Sequence, residues 1–440
     1  MQIIQQIVFV LLLIAAAYFF IKKIKEIYDN INLGKDETIN DQPKERWKNV
    51  LILALGQKKM FKRMTPAILH LFVYAGFIII NVEMLEIVLD GILGTHRLFA
   101  PSLGKLYPIL LNGFEILAFL VLVSCLIFLI RRNIIKLYRL NQKELNGWPK
   151  TDANLILTVE VVLMSLLLIM NATDYNLQLL NNEHYPATGS FIISGQIAPL
   201  FNGLSEGTLI GIERFCWWIH IIGILAFLNY LPYSKHLHIV LAFPNAYYAR
   251  LSPAGEIKNM PAIQNEVLYM MEPDKAPTEM PADDTPLRFG ARDVQDLSWK
   301  SLMDAYACTE CGRCTAMCPA NITGKTLSPR NIMMQTRDRL EEVGKNKIQN
   351  KGTFIDDGKS LLHDYITTEE LRACTSCNAC VEACPVMINP LDIILELRRN
   401  LVMEESNAPQ EWNMMFSNIE NNMAPWKFSP DERDRWIDEI

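Results

Sequence analysis

Apolar and polar residues are unevenly distributed along this chain. Five long apolar runs, at 3–21, 66–90, 108–130, 152–173 and 208–232, fill the first 240 residues, whereas charged residues and proline dominate the rest. A helix rising about 1.5 Å per residue needs roughly 20 apolar residues to cross the ~30 Å hydrocarbon layer of a membrane. The pattern therefore predicts five membrane-spanning helices followed by a water-soluble half.

The first apolar run has a second interpretation, as a cleaved secretory signal peptide. No basic segment precedes it and no small-residue cleavage site follows it; instead Lys22, Lys23 and Lys25 come directly after the run. This arrangement favours a retained membrane span over a cleaved leader.

The loops between the apolar runs predict the orientation. Residues 22–63 and 131–150 are rich in Lys and Arg, whereas 91–107 and 174–207 contain few of them. Because cytoplasmic loops carry the excess of basic residues, we expect the N-terminus outside and the C-terminal half in the cytoplasm. The chain is thus predicted to be a multi-pass protein of the cell inner (cytoplasmic) membrane. Its basic residues cluster near the spans and do not indicate binding to nucleic acid.

Eight of the ten cysteines form two compact groups with the same C-x2-C-x2-C-x3-C-P spacing. The groups are Cys308, Cys311, Cys314 and Cys318, and Cys374, Cys377, Cys380 and Cys384. Cysteines so crowded do not form natural disulfides, which places this half in a reducing compartment. Thiolates at this spacing suit iron in a sulfide-bridged cube, so we predict two [4Fe–4S] clusters. Zinc is the alternative, but zinc sites favour two well-separated pairs of cysteines.

The fourth cysteine of each run cannot comfortably fold back onto the cluster of its own run. In paired motifs of this kind it binds the other cluster. The sequence therefore predicts two crossed ligand sets. The first consists of Cys308, Cys311, Cys314 and Cys384, and the second of Cys374, Cys377, Cys380 and Cys318.

Histidines in or beside the apolar runs are candidates for function. His70 and His238 lie at the cytoplasmic ends of the second and fifth runs, and a b-type haem bound by two imidazoles needs ligands at such a shared depth. His220 lies about 27 Å from His238 along a continuous helix, so one haem cannot use both. His236 is either an alternate ligand or a headgroup-level residue. The other histidines are expected to be ordinary surface or packing residues: His96, His184 and His363.

The segments around the cysteines resemble a known domain. Helices are expected at 328–345, 368–373 and 390–402, and each Cys-Pro is followed by a second proline motif, Ser328-Pro329-Arg330 or Asn389-Pro390-Leu391. This pattern, over roughly residues 295–403, resembles the α-helical ferredoxin domains of heterodisulfide reductase and succinate dehydrogenase iron–sulfur subunits.

The first 240 residues resemble the cytochrome b (gamma) subunit of respiratory nitrate reductase and the membrane subunits of heterodisulfide reductase. Five spans, an outer N-terminus and the stretch from Trp218 to His238 carry this resemblance. It implies that His70 and His238 bind the haem b nearer the cytoplasm and that His220 serves an outer haem. The chain departs from the family at Ile80, where the outer haem would need a histidine.

His220 therefore has three interpretations: a ligand of a second haem, a hydrogen-bond partner of a quinone, or a packed polar residue. Glu83 in the outer half of the second span could assist in quinone binding. The alternative for Glu83 is a carboxylate that reaches the outer headgroups.

The expected fold class is mainly α, with a five-helix transmembrane bundle followed by a cytoplasmic α-helical ferredoxin domain. The predicted parts are the cytochrome b-like domain at 1–240, a Pro-rich acidic linker at 241–295 that includes Pro281-Ala282-Asp283-Asp284, the 2[4Fe–4S] domain at 296–403 and a tail at 404–440.

The fused arrangement resembles the front portion of electron-transfer-flavoprotein:quinone oxidoreductases. This resemblance implies electron transfer between a cytoplasmic redox partner and the quinone pool, menaquinone or another quinone, through two [4Fe–4S] clusters and haem b. It also implies as partners an iron–sulfur subunit with a Cys-Cys-Gly domain and an electron-transfer flavoprotein. We see no flavin or nucleotide motif and no catalytic residues, so the chain is expected to be an electron-transfer subunit of an oxidoreductase complex. The alternatives are an iron–sulfur membrane protein without haem and a non-catalytic redox-sensing or assembly subunit.

Overall fold

The structure, a computed structural model, describes residues 2–253, 255–276 and 288–439. Nineteen α-helices lie within these ranges. Their bounds are α1 (Gln2–Ile31), α2 (Pro43–Asn49), α3 (Met64–Leu93), α4 (Ala100–Leu103), α5 (Tyr107–Asn133), α6 (Trp148–Leu179), α7 (Ser194–Ile197), α8 (Glu206–Tyr230), α9 (His238–Tyr247), α10 (Pro261–Met271), α11 (Trp299–Ala307), α12 (Arg313–Met317), α13 (Pro319–Ile322), α14 (Pro329–Gln349), α15 (Thr368–Ala373), α16 (Ala379–Ala383), α17 (Pro390–Met403), α18 (Gln410–Asn422) and α19 (Arg435–Asp438). The predicted fold class is confirmed.

Five helical segments are long and apolar enough to cross a membrane: Ile3–Ile31, Met64–Leu93, Ala100–Asn133, Trp148–Leu179 and Glu206–Tyr233. They form a bundle in which α6 packs against α5 and α8, α3 against α5, and α1 against α3 and α8. Phe9, Ala118, Leu167 and Ile221 are almost completely buried in its core. The chain is therefore a multi-pass membrane protein.

Helix α1 is longer than the apolar run that predicts it. It continues past Lys22 to Ile31, and its side chains at Ile27 and Ile31 join the hydrophobic core of the soluble half. Asn30 donates a hydrogen bond from Nδ2 to Tyr306 Oη at 3.0 Å, in α11. One continuous helix thus links the membrane bundle to the iron–sulfur half.

Helices whose first turns are capped by side chains lie before and after the cysteine runs. Ser298 caps α11, Ser328 caps α14, Asn389 caps α17, and Thr367 with Glu370 forms a capping box on α15. Such caps satisfy the free N–H groups of a helix start and fix where the helix begins. The helices expected at 328–345, 368–373 and 390–402 are confirmed as α14, α15 and α17.

The segment predicted as a linker contains the end of α9 and all of α10. Asn245 in α9 is fully buried; it accepts a hydrogen bond from Lys300 Nζ at 3.0 Å and donates one to Val386 O at 2.7 Å. The Pro281-Ala282-Asp283-Asp284 stretch lies outside the described residues.

Candidate iron–sulfur and haem sites

Both cysteine runs have the same backbone design. Cys308 follows the end of α11 and Cys374 the end of α15. Each run then passes through two left-handed residues: Glu310 (φ 53°) and Gly312 (φ 70°) in the first, and Ser376 (φ 55°) and Asn378 (φ 60°) in the second. These turns direct backbone N–H groups at sulfur.

The N–H of Ser376 donates to Cys374 Sγ at 3.4 Å, and that of Ile388 donates to Cys384 Sγ at 3.3 Å. Hydrogen bonds of this kind stabilise the thiolate form in which cysteine binds iron.

One cavity collects a crossed set of cysteines. Its walls contain Cys318 from the first run together with Cys374, Cys377 and Cys380 from the second. Apolar side chains complete it, among them Leu327, Leu391 and Ile394. The donor set and the dry walls fit a [4Fe–4S] cluster.

The remaining four thiols form the other set. Burial and the nearby thiols of Cys311 and Cys308 raise the pKa of the Cys384 thiol to about 12, and Cys314 interacts electrostatically with the same group. Thiolates so close together repel one another unless bound iron supplies compensating positive charge.

The two sets differ in their surroundings. The Cys308 side lies against the membrane half: Arg139 Nη1 donates to Cys311 O at 2.5 Å, and Lys62 pairs with Glu382, next to the second run's last cysteine, at 2.5 Å. On the other side, Cys377 is exposed to solvent. One set therefore faces the membrane bundle and the other faces the surface.

The structure brings His70 and His238 together. Their ring centroids are 6.4 Å apart, with an angle of 45° between the ring planes. Two imidazoles that bind one metal ion through nitrogens at ~2.0–2.1 Å have their ring centroids roughly 6 Å apart. Nδ1 of His70 lies 3.1 Å from Gln57 Oε1, and Nδ1 of His238 lies 3.0 Å from Lys235 O. These contacts leave Nε2 of each ring for a metal, as is usual for histidine ligands. The two imidazoles would therefore fit a haem b held between them.

The chain before His238 is not one continuous helix. Helix α8 ends at Tyr230, and two 3-10 turns lead to His238 as the first residue of α9. Proline interrupts helices because it lacks an N–H and clashes with the preceding turn, and Pro232 stands at this break. The continuous helix that the expected spacing of about 27 Å between His220 and His238 assumed is therefore wrong. His236 packs beside His238, with ring centroids 5.6 Å apart.

His220 is buried inside the bundle. Its Nδ1 lies 3.0 Å from Leu163 O in α6, and Ile80 is buried in the same hydrophobic core as the neighbouring Ile221. If His220 bound a second haem through Nε2, position 80 could not supply the other ligand, because it is isoleucine.

Glu83 is also buried, and Oε1 lies 3.3 Å from Arg97 Nη1, whereas Oε2 has no hydrogen-bond partner among the described residues. Arg97 further binds Asp174 at 2.9 Å and Asn171 at 2.7 Å, so it holds the outer loop onto α6. The sequence reasoning missed this network. Its signal was the set of acidic residues in the outer halves of the spans, since buried carboxylates require partners.

A cavity of about 230 Å³ adjoins this Arg97 network. Its lining includes Phe9, Trp217, Trp218, His96 and Arg214. The cavity lies at the C-terminal end of α3, near Asp90, about 30 Å along that helix from His70. It is thus remote from the histidine pair.

Lys235, Glu310 and Gln57 were also missed by the sequence reasoning. Lys235 lies between the two halves and pairs with Glu310, between the first two cysteines. Burial opposes the charge on Glu310, but Arg337 and Lys235 outweigh it and hold the pKa of that carboxyl below its usual range. The sequence shows an acidic residue, Glu310, inside a cysteine run. It does not show that Lys235 and Arg337 are its partners, because they come from distant segments.

Comparison with known proteins agrees with the cysteine geometry. A family model described as "4Fe-4S dicluster domain" matches residues 307–388. This chain is an iron–sulfur protein with two [4Fe–4S] clusters. The "Probable iron-sulfur-binding oxidoreductase FadF" of Bacillus subtilis is 31% identical over 98% of this chain, and the "EtfAB:quinone oxidoreductase" of Syntrophomonas wolfei is 26% identical over 91% of it.

A subunit of the ferredoxin/F(420)H(2)-dependent CoB-CoM heterodisulfide reductase of Methanosarcina acetivorans is 33% identical over 24% of this chain and 53% of its own length. The chain spans 61% of the Bacillus protein and 55% of the Syntrophomonas protein. No solved structure matches it significantly. The chain is thus a membrane-associated iron–sulfur electron-transfer protein related to these oxidoreductases.

Proposed function

We propose that this protein carries electrons between a cytoplasmic redox partner and a membrane quinone, menaquinone or another, as an electron-transfer subunit of an oxidoreductase complex. The observation that carries the proposal is the His70–His238 pair, 6.4 Å apart between ring centroids, on the same side of the bundle as the Cys308 set. Two [4Fe–4S] clusters and a haem b supply one-electron chemistry when bound. An iron–sulfur domain that only sensed oxidation would have no need of such a pair.

The ligand assignments are part of this proposal. Cys308, Cys311, Cys314 and Cys384 hold one cluster, and Cys374, Cys377, Cys380 and Cys318 hold the other. The shared cavity of Cys318 with the second run supports this division. His70 and His238 hold the haem b between α3 and the start of α9, and Gln57 and the Lys235 carbonyl orient their rings.

Quinone binding is proposed in the outer part of the bundle near His220, with Glu83 as a second polar group. His220 contacts Leu163 O through Nδ1, and Oε2 of Glu83 is a buried atom with no hydrogen-bond partner among the described residues. With Ile80 in place of a second ligand, we favour a hydrogen bond from His220 to a quinone carbonyl over a second haem.

The partner is proposed to dock on the surface beside Cys377, because that thiol is exposed and belongs to the set farther from the membrane half. The relative from Syntrophomonas is named for electron-transfer flavoprotein and quinone, and others are named as heterodisulfide reductase subunits. We therefore propose an electron-transfer flavoprotein and an iron–sulfur subunit with a Cys-Cys-Gly domain as partners. We propose that the partner binds the domain at 296–403. In this division of the chain, the bundle is at 1–240, the connection at 241–295 and the tail at 404–440.

An optical spectrum of the purified protein tests the proposal. The dithionite-reduced protein should show b-type haem bands, which His70→Ala and His238→Ala should each abolish. His220→Ala should retain these bands, and so should His363→Ala, which removes an exposed histidine paired with Glu405 in the soluble half.

Absence of the bands from the unmodified protein would replace the proposal with an iron–sulfur membrane protein without haem. Retention of the bands in both the His70 and His238 variants would show that other residues bind the haem. Iron and acid-labile sulfide should be present in the amounts that two cubes need; zinc without sulfide would overturn the cluster assignment.

A further inference from the structure

Lys235 occupies an unusual position between the two halves of the protein. Its side chain is 10% exposed, and Nζ donates to Pro149 O at 2.7 Å and to Glu310. Its backbone N–H donates to Asp152 Oδ2 at 3.2 Å. Asp152 also accepts a hydrogen bond from Ser234 Oγ at 2.7 Å. The lysine is therefore fixed both through its side chain and through its backbone.

Each end of this lysine contacts a group beside a candidate cofactor. Its carbonyl oxygen lies 3.0 Å from His238 Nδ1. Its ammonium pairs with Glu310, which stands two residues after Cys308 in the first cysteine run. Arg337 holds the other oxygen of Glu310 at 2.9 Å. Lys235 thus links Glu310, inside the first cysteine run, to the proposed haem ligand His238.

We propose that Lys235 is a positioning residue that orients His238 and, with Glu310, sets the reduction potentials of the haem and the neighbouring cluster. This inference rests on the proposed function. A carbonyl that accepts from Nδ1 fixes the plane of a ligating imidazole and increases its basicity. The hydrogen bonds of its ammonium to Glu310 and of its backbone N–H to Asp152 together hold Lys235, and with it this carbonyl, in place.

The charges of Lys235 and Glu310 predict the direction in which each substitution shifts the midpoint potentials. Simple structural damage would not produce opposite shifts in the two variants. A positive charge near a redox centre favours the reduced form, which has one more electron, and a negative charge favours the oxidised form. Replacing Lys235 with Gln should therefore lower the midpoint potentials of the haem and of the Cys308-side cluster. Glu310→Gln should raise both potentials, because it removes the opposing negative charge.

The experiment is a redox titration of the purified full chain, followed optically for haem and by EPR for the clusters. The variants are K235Q, E310Q, the double variant K235Q/E310Q and the charge-conserving K235R. K359Q is the control: it also removes a lysine from an ion pair, with Glu342 at 3.2 Å, but this pair is exposed and includes none of the cysteine runs or candidate haem ligands.

We expect opposite shifts in K235Q and E310Q, a smaller shift in the double variant, and potentials near those of the unmodified protein in K235R and K359Q. The potential of the Cys377-side cluster should change least. Loss of haem from K235Q but not from K235R or K359Q, with both cluster signals retained, would also support the positioning role.

Unchanged haem and cluster potentials in both K235Q and E310Q, with haem bound, would overturn the inference and leave the proposed function intact. Shifts of the same sign in both variants would also overturn it. Absence of haem from the unmodified protein is a different result, because it would remove the proposed function itself.

Discussion

Two cysteines at the ends of their runs determine how the ligand sets are divided. Cys318 lies in the wall of a cavity with three cysteines that are more than fifty residues further along the chain. Cys384 in turn interacts with the thiols of Cys308 and Cys311. In the proposed division each run contributes to both sites, which would bring the two sites together. A defect in one run should therefore disturb the other run's cluster in a defined way.

Serine substitutions can test this division. Cys318→Ser should change the EPR signal of the same cluster that Cys377→Ser changes, and Cys384→Ser should resemble Cys311→Ser. The physical reason is that a serine oxygen is a harder ligand than a thiolate and alters or loses the iron to which it is bound. EPR of the four reduced variants, with iron and sulfide content, provides the measurement. If Cys318→Ser instead resembled Cys311→Ser, each run would hold its own cluster.

At the scale of helices, α1 and α14 meet where the membrane bundle joins the soluble half. A Cβ at Gly344 in α14 would lie 2.1 Å from Asn30 Oδ1 in α1, so the two helices approach as closely as glycine allows. The Asn30 amide also binds Tyr306, and it cannot move away without losing that hydrogen bond. This contact holds the end of the first span against the iron–sulfur domain.

Gly344→Ala should therefore separate α1 from α14 and lower the stability of the junction. Overpacking of this kind costs about 1–3 kcal/mol. The thermal midpoint of the detergent-solubilised protein should fall, and the loop before α2 should become more sensitive to protease.

Gly113→Ala in α5 is the control, because a Cβ there has open space to 4 Å and alanine favours helix. Equal thermal midpoints for the two variants would show that the close contact at Gly344 is not required.

Hydropathy and spacing predicted most of these elements. The five spans and the helices after each Cys-Pro follow from local patterns that tertiary contacts reinforce. The continuation of α1 into the soluble core was missed, although Ile24, Ile27 and Ile31 repeat at helical spacing beyond Lys22.

Sequence reasoning could identify the candidate ligands only where their own spacing or position in the spans forms a recognisable pattern. Cysteine spacing indicates a cluster, and histidines of matching depth indicate a shared ligand site. The partners Gln57, Lys235 and Arg97 were not identified, because hydrogen bonding between distant segments leaves no periodic signal in the sequence.

At the scale of the whole molecule, the candidate redox sites and the buried carboxylates lie at opposite ends of the bundle. The cysteine sets and the histidine pair lie toward one end of the bundle, where Arg139 and Lys62 contact the iron–sulfur domain. The opposite end contains the Arg97 network with its buried carboxylates. The proposed cluster and haem ligands thus lie in the soluble half and at the adjacent end of the bundle.

This asymmetry is useful only if the iron–sulfur half faces the cytoplasm, as the basic loops at 22–63 and 131–150 predict. Protease should therefore remove a C-terminal epitope tag in inverted membrane vesicles and spare it in intact spheroplasts. An N-terminal tag should show the reverse pattern, because five spans place the two ends on opposite sides. Loss of both tags in the same preparation would contradict the five-span topology. Loss of the C-terminal tag from intact spheroplasts alone would place the clusters outside the membrane and separate them from a cytoplasmic partner.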